Sequence, residues 1–89
     1  MHNANYSSAY ISTAITTQVS TQPSTIVGLL VTETAAGTIT VYNGQGTSDV
    51  TIAVLKASIA EGYYPLNVSC PKGIKVVTAG NSKVTVIYK

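Results

Sequence analysis

Short runs of alternating apolar and hydroxyl residues, each closed by a glycine- or asparagine-bearing turn, recur along most of this chain. A period of two puts successive side chains on opposite faces of an extended strand, and such runs set close together between turn signals belong to sandwiches and small barrels. Ile26 to Thr32 is mostly apolar, which predicts a strand covered on both faces. After Gly37, Ile39 and Val41 point one way and Thr38, Thr40 and Tyr42 the other, and Asn43-Gly44-Gln45-Gly46 closes the run with an Asn-Gly turn. From Asp49 to Leu55 the alternation predicts Val50, Ile52 and Val54 inward, with Thr51 and Ala53 outward. Gly62 to Cys70 sets Tyr64, Leu66, Val68 and Cys70 against Tyr63, Pro65 and Asn67, and Pro65 places this strand at an edge or a bulge. Ile74 to Thr78 and Lys83 to Lys89 complete the series.

Residues 1–24 read differently, being dense in Ser, Thr, Asn and Gln. Ile11, Ile15 and Val19 lie four apart, as on one helix face, but the threonines between them favour strand. The reading is an N-terminal arm or first strand over 1–24, bounded by Pro23, and a β-sandwich domain over 25–89. Six strands plus one in the tail make about seven, too many for one open sheet in so short a chain. The fold class is therefore all-β, a small antiparallel β-sandwich, jelly-roll-like or Ig-like, with an extended N-terminal arm.

At 89 residues such a domain has a small core and a thin margin of stability. Disulfides and metals commonly supplement small cores, but Cys70 has no second cysteine, and His2, Asp49, Glu33 and Glu61 show no ligand spacing with it. No cofactor or metal is expected, which leaves association with other chains. Charged residues make up 9% of the chain against a usual share of about 25%, so the surface is poorly defended against contact. The net charge of +2 rests on lysines 56, 72, 75, 83 and 89, which are scattered, so no nucleic-acid partner is expected. No apolar stretch approaches membrane-span length and no secretory segment is expected; without one, Asn5-Tyr6-Ser7 and Asn67-Val68-Ser69 read as chance glycosylation matches.

Catalytic readings fail on inventory. A Ser-His-Asp arrangement would depend on His2, two residues from a terminus, and Glu33 and Glu61 sit in turn contexts as solvated carboxylates. Cys70 is in phase with Leu66 and Val68, so it reads as a small buried hydrophobe and not a nucleophile. The expectation is no enzyme. Tyrosine is the only aromatic, six in all, and tyrosines suit interfaces because the ring buries area while the hydroxyl keeps a hydrogen bond. Tyr6, Tyr10, Ile11, Ile15 and Val19, in a tail without its own core, are the candidate protein-contact residues.

The order of these motifs carries a resemblance. Gly37 to Gly44 (GTITVYNG), Gly62 to Leu66 (GYYPL), the KGIKVVTAG strand and the closing Val84 to Tyr88 (VTVIY) make Ile26 to Tyr88 similar to the short all-β virion proteins of tailed bacteriophages. The resemblance implies a capsid decoration (cement) protein, made in the host cytoplasm and carried on the virion surface. Its implied partners are the major capsid protein and further copies of itself, as a trimer or dimer. Two other functions fit the residues: a receptor- or glycan-binding module of a fibre or spike, and a self-assembling filament subunit whose arm completes a neighbour's sheet.

Overall fold

The computed structural model describes residues 6–46 and 49–89. Among the described residues eight strands follow one another without a helix: β1 (Ser7–Ile11), β2 (Ile15–Ser20), β3 (Ser24–Glu33), β4 (Ile39–Asn43), β5 (Val50–Leu55), β6 (Gly62–Cys70), β7 (Ile74–Thr78) and β8 (Lys83–Tyr88). They form two four-stranded sheets in the orders β1-β8-β3-β6 and β2-β7-β4-β5, with every pairing antiparallel. First pairs with last, second with seventh, third with sixth and fourth with fifth. This nested pairing, wrapped across two sheets, is the jelly roll.

The expected sandwich is therefore present, with eight strands where about seven were read. The difference lies in the tail, which contributes two strands in place of one. Ile11 closes β1 in register with Val84, the chain crosses between sheets at Ser12–Ala14, and Ile15 opens β2 opposite Thr78. Thr78 secures this crossing, since its hydroxyl donates to the Thr13 carbonyl (2.6 Å) and accepts from the Ile15 N–H (3.1 Å). The arm expectation is corrected accordingly over the described part of 1–24: β1 and β2 are edge strands of the chain's own two sheets. Residues 1–5 lie outside the described residues.

The core is aliphatic. Ile26, Leu29 and Val31 from β3 meet Ile39 and Val41 from β4, Ile74 and Val76 from β7, and Val84 and Val86 from β8, all essentially sealed from water. The β4, β7 and β8 sets alternate with outward residues. β3 was expected to be covered on both faces; instead its inward set, Ile26, Leu29 and Val31, steps over a bulge after Ile26, and Gly28 and Leu30 lie on the outward face of the sheet. β5 departs from its reading: a bulge at Ile52, opposite the Val41/Tyr42 step, shifts the phase, so Leu55 is buried and Val54 faces outward, while Val50, in register with Asn43 on the inner side, is exposed at the end of the edge strand. Pro65 does mark an edge and a bulge. β6 is the outer strand of its sheet, and its register with β3 slips between Ile26 and Gly28, where Asn67 takes φ 54°.

Amide side chains tie together one end of the sandwich. Gln18 Nε2 donates to the carbonyls of Gly44 (3.0 Å) and Ile74 (3.1 Å), and Gln45 Nε2 to those of Thr21 (2.8 Å) and Lys72 (3.1 Å). Gly73 sits among them at φ 107°, where a Cβ would lie 2.5 Å from the Ser20 carbonyl oxygen. Only glycine fits that turn. Asn43 ends β4, paired with Val50, and the connection to β5 runs from Gly44 to Asp49, longer than the Asn-Gly turn expected; Asp49 at its far end forms an ion pair with Lys75.

Candidate interaction surface

The two outward faces differ in chemistry. On the β2-β7-β4-β5 sheet, the rows are Thr16–Val77–Thr40–Val54 and Gln18–Lys75–Tyr42–Thr51. The Lys75 ammonium lies 5.1 Å from the centre of the Tyr42 ring, donates to the Gly46 carbonyl (3.0 Å) and pairs with Asp49. Asp49 also accepts from the Gly46 N–H (2.9 Å), and these contacts, the Lys75 one first, hold its carboxyl below the usual range.

On the β1-β8-β3-β6 sheet, cross-strand register aligns Tyr10, Thr85, Leu30 and Tyr63 in one row and Ser8, Ile87, Gly28 and Pro65 in the next. With strands about 4.8 Å apart, Tyr10 and Tyr63 are roughly 14 Å apart along the sheet. Gly28 shapes this face. A Cβ there would fall within 3 Å of three atoms of the Tyr63 ring, so the ring rests directly on the β3 backbone. Its other side is open, and Tyr63 is 47% exposed. Tyr6 extends the surface beyond β1, with the Lys89 ammonium 5.3 Å from its ring centre. The charges of these four strands stand at one end, where Lys83 pairs with Glu33 at 3.2 Å. Neither central row contains a charge.

Of the five residues picked from sequence, the fold brings together Tyr6 and Tyr10, which are 56% and 61% exposed on this face. Ile11 is buried in the core, because β1 turns it inward against β8. Val19 is half-buried and packs on the same core, and Ile15 is exposed but belongs to the other sheet. Tyr63, Leu30, Ile87 and Pro65 complete the face and were not picked. Their signal was Tyr63 alternating out of phase with Tyr64, together with a glycine inside the apolar β3 run. Connecting the two required the β3–β6 register.

The residues weighed for chemistry lie apart from this surface. Cys70 is fully buried, and burial pushes its thiol pKa up. Glu61 is exposed in the bend before β6. His2 lies outside the described residues. Among the described residues no three of His, Cys, Asp and Glu gather closely enough to hold a metal ion. Comparison with protein-family models and with curated proteins gives no match.

Proposed function

We propose that this chain is a structural virion protein, a capsid decoration or cement protein that binds the outer surface of a major capsid shell and stabilises it through repeated contacts. The observation that carries this reading is the outward face of the β1-β8-β3-β6 sheet, whose two central rows bear no charge and which gathers Tyr6, Tyr10, Leu30, Tyr63 and Ile87, with Lys89 beside Tyr6 at its margin. A surface with tyrosine anchors and uncharged central rows suits contact with another protein. The β2-β7-β4-β5 face, with Lys75, Gln18 and its threonines, then points to solvent. The motif resemblance of residues 26–88 supports the same assignment.

The test is sedimentation of virus particles from a culture that produces this chain, with mass spectrometry of the particle fraction. A fixed copy ratio near that of the shell protein supports decoration. A few copies per particle assign it to a fibre or tail, and absence from particles rejects the virion reading. One observation favours a second function: the Tyr63 ring, seated over Gly28 and 47% exposed, is a surface on which a sugar ring can stack. Glycan-array binding that Tyr63→Ala removes would favour that module.

A further inference from the structure

A jelly roll of two open sheets leaves four free edges, here β1 and β6 of one sheet and β2 and β5 of the other. An uncovered edge offers unpaired N–H and C=O groups to any strand that can reach it, and proteins usually blunt such edges. β6 carries Pro65 and a bulge around Asn67. β2 carries a bulge between Gln18 and Ser20. β1 is only five residues long, with exposed Tyr6 before it and exposed Tyr10 within it.

Of the two six-residue edges, β2 and β5, each with one bulge and without proline, glycine or charge, β5 is the more apolar. Its sequence VTIAVL has no proline, glycine or charge and is mostly β-branched. Two of the large apolar side chains most exposed in the structure, Val50 at 55% and Val54 at 56%, lie on it. Its one irregularity is the bulge at Ile52.

We propose that the β5 edge pairs antiparallel with the β5 edge of a second copy of this chain, joining two β2-β7-β4-β5 sheets across a two-fold axis. The charges flanking the strand select this partner and direction. Asp49 precedes β5 and Lys56 follows it, so only antiparallel pairing sets each copy's Lys56 alongside the other's Asp49, and two-fold symmetry does so twice. Because Asp49 is already held by Lys75 in its own subunit, this contact fixes direction more than it adds strength. Six residues span about 20 Å of edge, which is small against a standard interface of roughly 800 Å² per partner. The pairing is therefore weak in dilute solution and gains from any array that holds copies close together. It is independent of the face proposed to meet a shell.

The test is the molar mass of the whole chain, measured by sedimentation equilibrium from micromolar to millimolar concentration. The expected result is a rise from 9.2 kDa toward twice that value, abolished in the double variant Val50→Lys, Val54→Lys and retained in Tyr10→Lys on the other sheet. Amide exchange on the unmodified chain gives a readout that does not depend on any variant folding: protection within Val50–Leu55 should rise with concentration. A chain that stays monomeric at millimolar concentration, open-ended assembly, or a dimer lost in Tyr10→Lys but kept in the valine variant would each overturn the proposal.

Discussion

At the scale of single residues, the two most perturbed groups make opposite predictions. Asp49 is held in its charged form by Lys75 and the Gly46 N–H, with Lys72 adding a weaker attraction. A carboxylate whose folded pKa lies below its unfolded value of about 3.9 stabilises the fold above that pH, and the contribution is lost as pH falls through the folded value. Thermal midpoints of the unmodified chain should therefore drop more steeply below about pH 4 than those of Asp49→Asn. Identical acid profiles would show that the clamp contributes nothing. Cys70 is shifted the other way by burial. A buried, protonated thiol reacts only through opening of the fold, so labelling by a thiol reagent should be slow in native buffer and become fast across the denaturant transition. Fast native labelling would contradict its placement in the core.

At the scale of elements, β3 and β6 are joined across their outer face by Gly28 and Tyr63. Gly28→Ala places a methyl group where the ring now lies, and because the clash is with the outer end of a half-exposed side chain the ring can swing aside, so it should cost about 1 kcal/mol at most through displacement of Tyr63. In a Tyr63→Ala background the same change should be neutral or stabilising by about 0.5–1 kcal/mol, because alanine has less backbone entropy to lose on folding. Denaturant titration of the four proteins of this cycle measures the coupling. The same pair marks how far the sequence could be read. The strands from β3 onward, and the inward sets of β4, β6 and β8, were legible because alternation is local; β3, read as covered on both faces, has an outward face that its apolar run conceals. The phase of β5 was not, since the bulge at Ile52 arises from pairing with β4, which alternation within one strand does not encode. The tail was misjudged for a related reason: Ile11 looks isolated among hydroxyl residues, and only pairing with β8 turns it into a core position. Sequence reasoning thus found two residues of the exposed face, Tyr6 and Tyr10, and missed those that depend on register.

At the scale of the molecule, β1 and β2 are parts of the fold, which changes what the N-terminal segment can be used to test. If residues 25–89 made up the whole sandwich, removing residues 1–20 would leave it folded. The deletion instead strips one edge strand from each sheet and takes Ile11 out of the core, a loss of about 2–5 kcal/mol for that side chain alone. The truncated chain should unfold, so its failure to bind a particle would be uninformative. Substitutions on the outward face avoid the problem. Tyr10 and Tyr63 are both substantially exposed, at the two ends of one cross-strand row; Lys at Tyr10 should leave the unfolding midpoint nearly unchanged, whereas Lys at Tyr63 also uncovers Gly28 and should lower it modestly while leaving the chain folded. Tyrosine anchors at the centre of a protein contact are worth about 2 kcal/mol or more each. Tyr10→Lys and Tyr63→Lys should therefore each weaken particle binding by more than about tenfold, whereas Thr16→Lys on the opposite sheet should not. Binding assays with purified chain and undecorated particles would decide it: loss in Thr16→Lys alone reverses the orientation of the domain, and no loss in any of the three removes the sheet faces from the contact altogether.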